Sequence, residues 1–207
     1  IRYAQQLTSE LIFHDGHSEP IDRNDLQACL SDEKVWRDRC KRADIEKVKS
    51  LLKNGFKEVR IGVPSRLLSR NVQIVDTPGL GSVEVEHGRL TRHYLAQCDA
   101  ALFLVSTDPP MGEREMTFLQ YAAGILDKFL FVQTKRDLGE RDERGELVWR
   151  RVLRENQERI GEVMGVHNVE IHAVSALKAA RGLRTQSRVY YESGVPSLRD
   201  KLERFLA

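Results

Sequence analysis

Phe129-Leu130-Phe131-Val132-Gln133-Thr134-Lys135-Arg136-Asp137 is the stretch that decides the fold. Four apolar residues in a row read as a strand buried on both faces. The polar run T-K-R-D follows at once and marks where that strand ends. The same grammar recurs on either side. Ala100–Val105 is a second continuous apolar strand, followed by Ser106-Thr107-Asp108-Pro109-Pro110. Val72–Val75 is a short β-branched run leading into Asp76-Thr77-Pro78-Gly79-Leu80-Gly81, and Val169–Val174 leads into Ser175-Ala176-Leu177-Lys178-Ala179. Helical periods lie between the strands: Leu90, Tyr94 and Leu95 within 85–97, then Met116, Leu119, Ala123 and Leu126, then Val148, Val152 and Ile160 within 146–164. Leu198, Leu202, Phe205 and Leu206 make a final amphipathic helix. This alternation predicts an α/β fold with a mostly parallel sheet and helices on both faces. Ligands bind such sheets beyond the carboxyl ends of the strands, so the residues after each strand are the ones to read for chemistry.

The first quarter of the chain has a different texture. Arg2–Ala4 and Glu10–His14 read as strands. Residues 21–54 carry apolar residues at helical spacing among many charges, with Asp22 as a first cap and Asn54-Gly55 as the stop. Val59–Val63 reads as a strand that ends at Pro64.

Composition excludes several classes. The chain has 207 residues, 41% of them hydrophobic and 31% charged, which is enough to bury a core. Its formal net charge of +2 does not fit a general nucleic-acid binder. Cys29, Cys40 and Cys98 form no CxxC pair, so neither a disulfide framework nor a zinc site is expected, and a cytoplasmic setting is the simplest. No apolar run approaches the roughly 18 residues of a membrane span. The six histidines show no metal-ligand spacing, and Trp36 and Trp149 sit in helical patterns as packing residues.

Taken singly, each segment after a strand has a plain explanation. D-T-P-G serves as a turn, T-K-R-D as a capped loop, and Ser175 as a helix N-cap. In this order, at successive strand ends, they resemble the later motifs of a guanine-nucleotide-binding domain. The match extends to Val75–Ser82, to Ser106-Thr107-Asp108-Pro109-Pro110-Met111-Gly112-Glu113, to Tyr94–Ala100, and to Val59–Ser65. These stretches resemble the dynamin superfamily of large GTPases, especially its bacterial dynamin-like branch.

The resemblance implies a P-loop GTPase (G domain) fold, with residues 1–207 as a partial GTPase domain. In that reading 21–54 is a helical insertion and 57–207 runs from the second switch to the guanine-binding half. It implies that Asp76 holds Mg²⁺ through water and that the Gly79 N–H meets the γ-phosphate, these two forming the catalytic part. Lys135 would lie along the guanine ring, and Asp137 would accept hydrogen bonds from the ring N–H and the exocyclic amine, a donor pair that adenine lacks. Thr134 belongs to the same motif, and Ser175 and Ala176 would bring backbone N–H groups to the guanine carbonyl. GTP or GDP and Mg²⁺ are the implied cofactors. A homodimer through the GTPase domains is the implied assembly, with membrane lipid met by regions outside these residues, no nucleic acid, and a cytoplasmic protein peripheral at a membrane.

One part of the pattern is missing. The sequence has no Gly-Lys pair, hence no GxxxxGK[ST] loop to cradle phosphates. Ile1 reads as already inside a strand, so the N-terminus is expected to be truncated and the chain by itself inactive. The rival is a degenerate GTPase-fold interaction module without hydrolysis. Against a dinucleotide oxidoreductase stands Glu84, which occupies the third small position after Gly79 and Gly81, where a bulky acid repels pyrophosphate.

Overall fold

The computed structural model describes residues 1–29, 44–77, 91–139, 141–183 and 187–206. Trp36, Cys40, Gly79, Gly81, Gly88 and the start of the expected 85–97 helix lie outside them. The chain forms two compact units, Ile1–Val75 and Asp76–Ala207.

The first unit is built on a four-stranded mixed sheet. It contains β1 (Arg2–Tyr3), β2 (Thr8–Ile12), β3 (Ser18–Pro20) and β4 (Glu58–Val63) in the order β1-β4-β2-β3. β4 runs parallel to β1 and antiparallel to β2. β2 and β3 form a hairpin, and Gly16 in its turn has φ 92°, a left-handed conformation that costs glycine little. Among the described residues β3 is followed by the helices α1 (Arg23–Cys29) and α2 (Ile45–Asn54). Asp22 caps α1, its carboxylate accepting the N–H groups of Asn24 and Asp25 at 2.6 and 3.1 Å. Gly55 ends α2 with φ 68° and donates its N–H to the Leu51 carbonyl. Both caps are as the sequence predicts. Leu11, Phe13, Ile21, Leu26 and Leu51 form the core of this unit. The buried Asp25 carboxylate accepts the Asp44 N–H at 2.7 Å and lies 3.5 Å from the Lys47 ammonium, which ties α1 to the start of α2.

Val72–Val75 differs from the expected strand. Ile1 and Ile74 exchange hydrogen bonds, the Ile1 amine to the Ile74 carbonyl at 2.6 Å and the Ile74 N–H to the Ile1 carbonyl at 2.9 Å. Among the described residues that reciprocal pair is the whole of the pairing, too short to make a ladder.

The second unit holds a parallel sheet of β5 (Ala101–Ser106), β6 (Phe129–Thr134) and β7 (Ile171–Ala173), in that order. The register sets Ser106 beside Thr134 and Gln133 beside Ala173. Side chains alternate across the sheet. Phe103, Val105, Phe131 and Ile171 face α3 (Glu113–Ala123) and α4 (Val148–Met164), and with Leu119 and Ile160 they form the main core. Leu102 and Leu104 point to the other side of β5, and Leu104 is 61% exposed. After β7 come α5 (Ala176–Leu183), α6 (Arg188–Glu192) and α7 (Val195–Phe205). Among the described residues no helix is long and apolar enough to cross a membrane.

Candidate functional site

Three loops leave the carboxyl ends of β5, β6 and β7 side by side, because the parallel register continues past each strand. The Thr107 N–H donates to the Thr134 carbonyl at 3.1 Å, and the Arg136 N–H donates to the Val174 carbonyl at 3.0 Å. These bonds bring Thr134, Lys135, Asp137, Ser175 and Ala176 to one edge of the sheet.

Each of these residues has a distinct local state. The Thr134 hydroxyl donates to the Val105 carbonyl at 3.2 Å, so it clamps β6 to β5. Lys135 has φ 59°, a left-handed conformation uncommon outside glycine and asparagine. It opens a tight turn in which the Leu138 N–H returns to the Lys135 carbonyl at 3.1 Å. The Lys135 ammonium donates to the carbonyl of Asp108 in the neighbouring loop. Arg136 points the other way, its guanidinium 4.7 Å from the centre of the Trp149 ring. The Asp137 side chain is half-buried, and its carboxylate has no hydrogen-bond or ion-pair partner among the described residues.

Ser175 is fully buried and all its polar groups are taken. Its N–H donates to the Ser193 carbonyl at 2.8 Å. Its hydroxyl accepts the Lys178 N–H at 3.0 Å, and its carbonyl accepts the Ala179 N–H at 3.0 Å, so it is the N-cap of α5. Ala176 is exposed at the first position of that helix, where the N–H has no intrahelical partner. Among the described residues, the ends of β6 and β7 therefore present an open carboxylate, Asp137, and an open backbone donor, Ala176. Guanine offers the converse set along one edge, an adjacent pair of N–H donors and a carbonyl acceptor. The residues present fit that base.

Asp76 is exposed and makes no hydrogen bond among the described residues. No group of three or more potential metal ligands occurs among them either. A lone exposed carboxylate fits Mg²⁺ only in the way that ion usually binds, with phosphate oxygens and water completing the shell. Sequence reasoning passed over Asp108 and Ser193 because both act through backbone carbonyls, which no side-chain motif reports.

Residues 14–136 match the model of the dynamin family. The chain belongs to the dynamin family. This dynamin-family chain is 29% identical over 209 residues to an uncharacterised protein in the xynA 3′ region of Caldicellulosiruptor sp. (strain Rt8B.4), covering 100% of the chain and 47% of that relative. It is 32% identical over 117 residues to a probable transmembrane GTPase, FZO-like and chloroplastic, of Arabidopsis thaliana, covering 56% of the chain and 12% of the relative. It is 31% identical over 101 residues to dynamin-like protein 1 of Campylobacter jejuni subsp. jejuni, covering 48% of the chain and 14% of the relative. The chain thus spans less than half the length of each. A solved structure of an oligomerised bacterial dynamin pair, described as a mechanism for long-range sensing and tethering of membranes, superposes with a TM-score of 0.63. That likeness covers 99% of the chain and 38% of the solved one at 20% identity. The fold is that of a dynamin GTPase domain.

Proposed function

We propose that this dynamin-family chain carries the guanine-recognition half of a GTPase site, and that the full-length protein binds and hydrolyses GTP. The observation that carries the reading is the open Asp137 carboxylate beside the open Ala176 N–H, held on adjacent parallel strand ends. Asp137 accepts from the guanine ring N–H and exocyclic amine, and the Ala176 N–H donates to the guanine carbonyl. The Lys135 stem lies along the base while its ammonium stays on Asp108. Thr134 and Ser175 act by holding the two loops. A base without the paired donors leaves Asp137 unsatisfied, which is how a polar site rejects the wrong ligand.

Asp76 and Gly79 serve the phosphate end. Asp76 holds Mg²⁺ through water, and the Gly79 N–H meets the γ-phosphate. The ion supplies charge neutralisation at the phosphates, as in other phosphoryl transfers. The phosphate-cradling loop comes from outside residues 1–207. In support, no Gly-Lys pair occurs within residues 1–207. Association through GTPase domains and contact with membrane lipid are proposed for the full-length protein, on the likeness to the oligomerised membrane-tethering pair.

The test is base preference. In the full-length protein, Asp137→Asn should weaken GDP and admit xanthosine diphosphate. Unchanged preference would defeat the pocket assignment. Residues 1–207 alone should turn over GTP far more slowly than once per minute, and turnover on the order of one per minute would defeat the proposal that the phosphate loop lies outside them.

A further inference from the structure

Beneath the proposed base pocket lies a closed polar network that no motif announced. Gln133, Asn156 and Thr107 have relative exposures of 0%, 0% and 2%. Gln133 is the inward residue at the end of β6, on the same face as the apolar Phe131. Its amide nitrogen donates to the Thr107 hydroxyl at 3.0 Å and to the Trp149 carbonyl at 2.9 Å. Its amide oxygen accepts from Asn156 Nδ2 at 3.0 Å. Asn156 Oδ1 accepts the Met111 N–H at 3.1 Å, and the Thr107 hydroxyl donates to the Thr134 carbonyl at 2.8 Å.

The network has one consistent direction. Turning the Gln133 amide over would set its oxygen against the Trp149 carbonyl. Turning the Asn156 amide over would set its NH₂ against the Met111 N–H. Buried amides that lose a partner keep the full cost of desolvation, so the arrangement holds as a unit.

Its position gives it a role. Asp108, whose carbonyl receives the Lys135 ammonium, lies between two network anchors, Thr107 and Met111. Thr134, whose carbonyl accepts from Thr107, is the residue before Lys135. Trp149, whose carbonyl accepts from Gln133, stacks beneath Arg136. Both ends of the lysine's contact and the arginine after it are therefore fixed from below by the same three side chains.

We propose that Gln133, Asn156 and Thr107 are positioning residues for guanine recognition, acting through Lys135 and the Asp108 carbonyl to hold Asp137 in register with the base. This rests on the guanine reading of the site above. Without Asn156 the Met111 N–H and the Gln133 amide oxygen lose their partners. The loop of Asp108 then loosens and the left-handed turn at Lys135 loses its tether. Lys135 and Asp137 meet the base and not the reacting phosphate, so the defect falls on base affinity.

The test compares GDP with inosine diphosphate, which lacks the exocyclic amine, by calorimetric titration of the full-length protein. Asn156→Leu should weaken GDP about tenfold and bring the ratio of the two affinities toward one. In GTP turnover it should raise KM and leave kcat unchanged. Val152→Ala, in the same helix and 1% exposed, lowers stability without touching the network and should leave the ratio alone. Thr107→Val should shift the ratio in the same direction and serves if Asn156→Leu does not fold. Asp137→Ala separates the two ideas. If it abolishes discrimination while Asn156→Leu, or Thr107→Val in its place, leaves the ratio at the wild-type value, the positioning role is overturned and the pocket stands. If Asp137→Ala itself leaves the ratio unchanged, the guanine reading falls and the positioning role falls with it.

Discussion

The Ser175 N–H donates to the Ser193 carbonyl at 2.8 Å, and both residues are fully buried. The loop after β7 is therefore held by a turn eighteen residues later in the chain, as the two residue numbers show. The Ser193 hydroxyl closes that turn on the Tyr190 carbonyl at 2.5 Å. Gly194, the next residue, has φ 78°, and a Cβ there would lie 2.4 Å from the Ala173 carbonyl oxygen. Gly194→Ala should therefore destabilise the chain by about 2 kcal/mol or more, through backbone strain and the clash together. Urea unfolding measures this. An unchanged midpoint would show that the turn adapts freely.

Ser175 and Ala176 are adjacent and should respond in opposite ways. Ser175→Ala removes a buried cap and should cost about 1 kcal/mol of stability, yet the backbone donors stay in place and guanine affinity should hold. Ala176→Pro removes the open N–H at the first helical position, where proline is well accepted. Thermal stability should hold while GDP binding by the full-length protein weakens several-fold. Loss of stability with retained binding in the proline variant would contradict this division of roles.

His172 on β7 confers a pH dependence whose sign can be stated. Its ring is partly buried, and burial holds its pKa below 6.5; Glu170 opposes the shift, and Lys201 and Arg204 add to it. Nε2 lies 3.3 Å from Glu170 Oε1 but makes no hydrogen bond. A lowered histidine pKa means that the unfolded chain binds more protons, so its contribution is complete above pH 6.5 and declines as pH falls from there toward the folded pKa. Stability should drop as pH falls below about 6.5, and His172→Phe should flatten that slope. Chemical unfolding across this range checks it.

Asp22 supplies a second acid-sensitive element. The N–H groups of Asp25 and then Asn24 hold its carboxyl below its usual value of 3.8. The depressed pKa makes its contribution present above that value and lost as pH falls through the folded one. Asp22→Ala should cost about 1 kcal/mol near neutral pH. The cost should shrink as pH falls below 3.8, so the change in that cost with pH is the readout.

Much of the fold was legible because its signals are local. Apolar runs such as Phe129–Val132 have one stable use in a chain of this composition. Asp22, Ser175 and Gly55 each act within four residues of their partners, so cap chemistry shows in a string of letters. Val72–Val75 was misread because a strand is defined by its partner. Its β-branched residues favour extended backbone, but among the described residues only Ile74 finds a reciprocal pair. The mixed order β1-β4-β2-β3 was likewise hidden, since β4 pairs with residues some fifty positions earlier.

By itself, the sequence determined the long apolar strands and amphipathic helices of the second unit and which polar residues stand at the carboxyl ends of those strands, but not the fate of Val72–Val75 or the short elements Ser18–Pro20 and Arg188–Glu192. Those properties depend on side-chain periodicity and on contacts a few residues long. The tertiary structure alone decided which polar atoms at those ends stay open. The Thr134 hydroxyl is taken by Val105, the Lys135 ammonium by Asp108 and the Ser175 N–H by Ser193, while the Asp137 carboxylate and the Ala176 N–H are among the groups left open within the described residues. Each of those partners lies well over a dozen residues away in the chain. A hydrogen bond is assigned by distance and angle in the folded molecule, and no spacing rule along the chain carries that information.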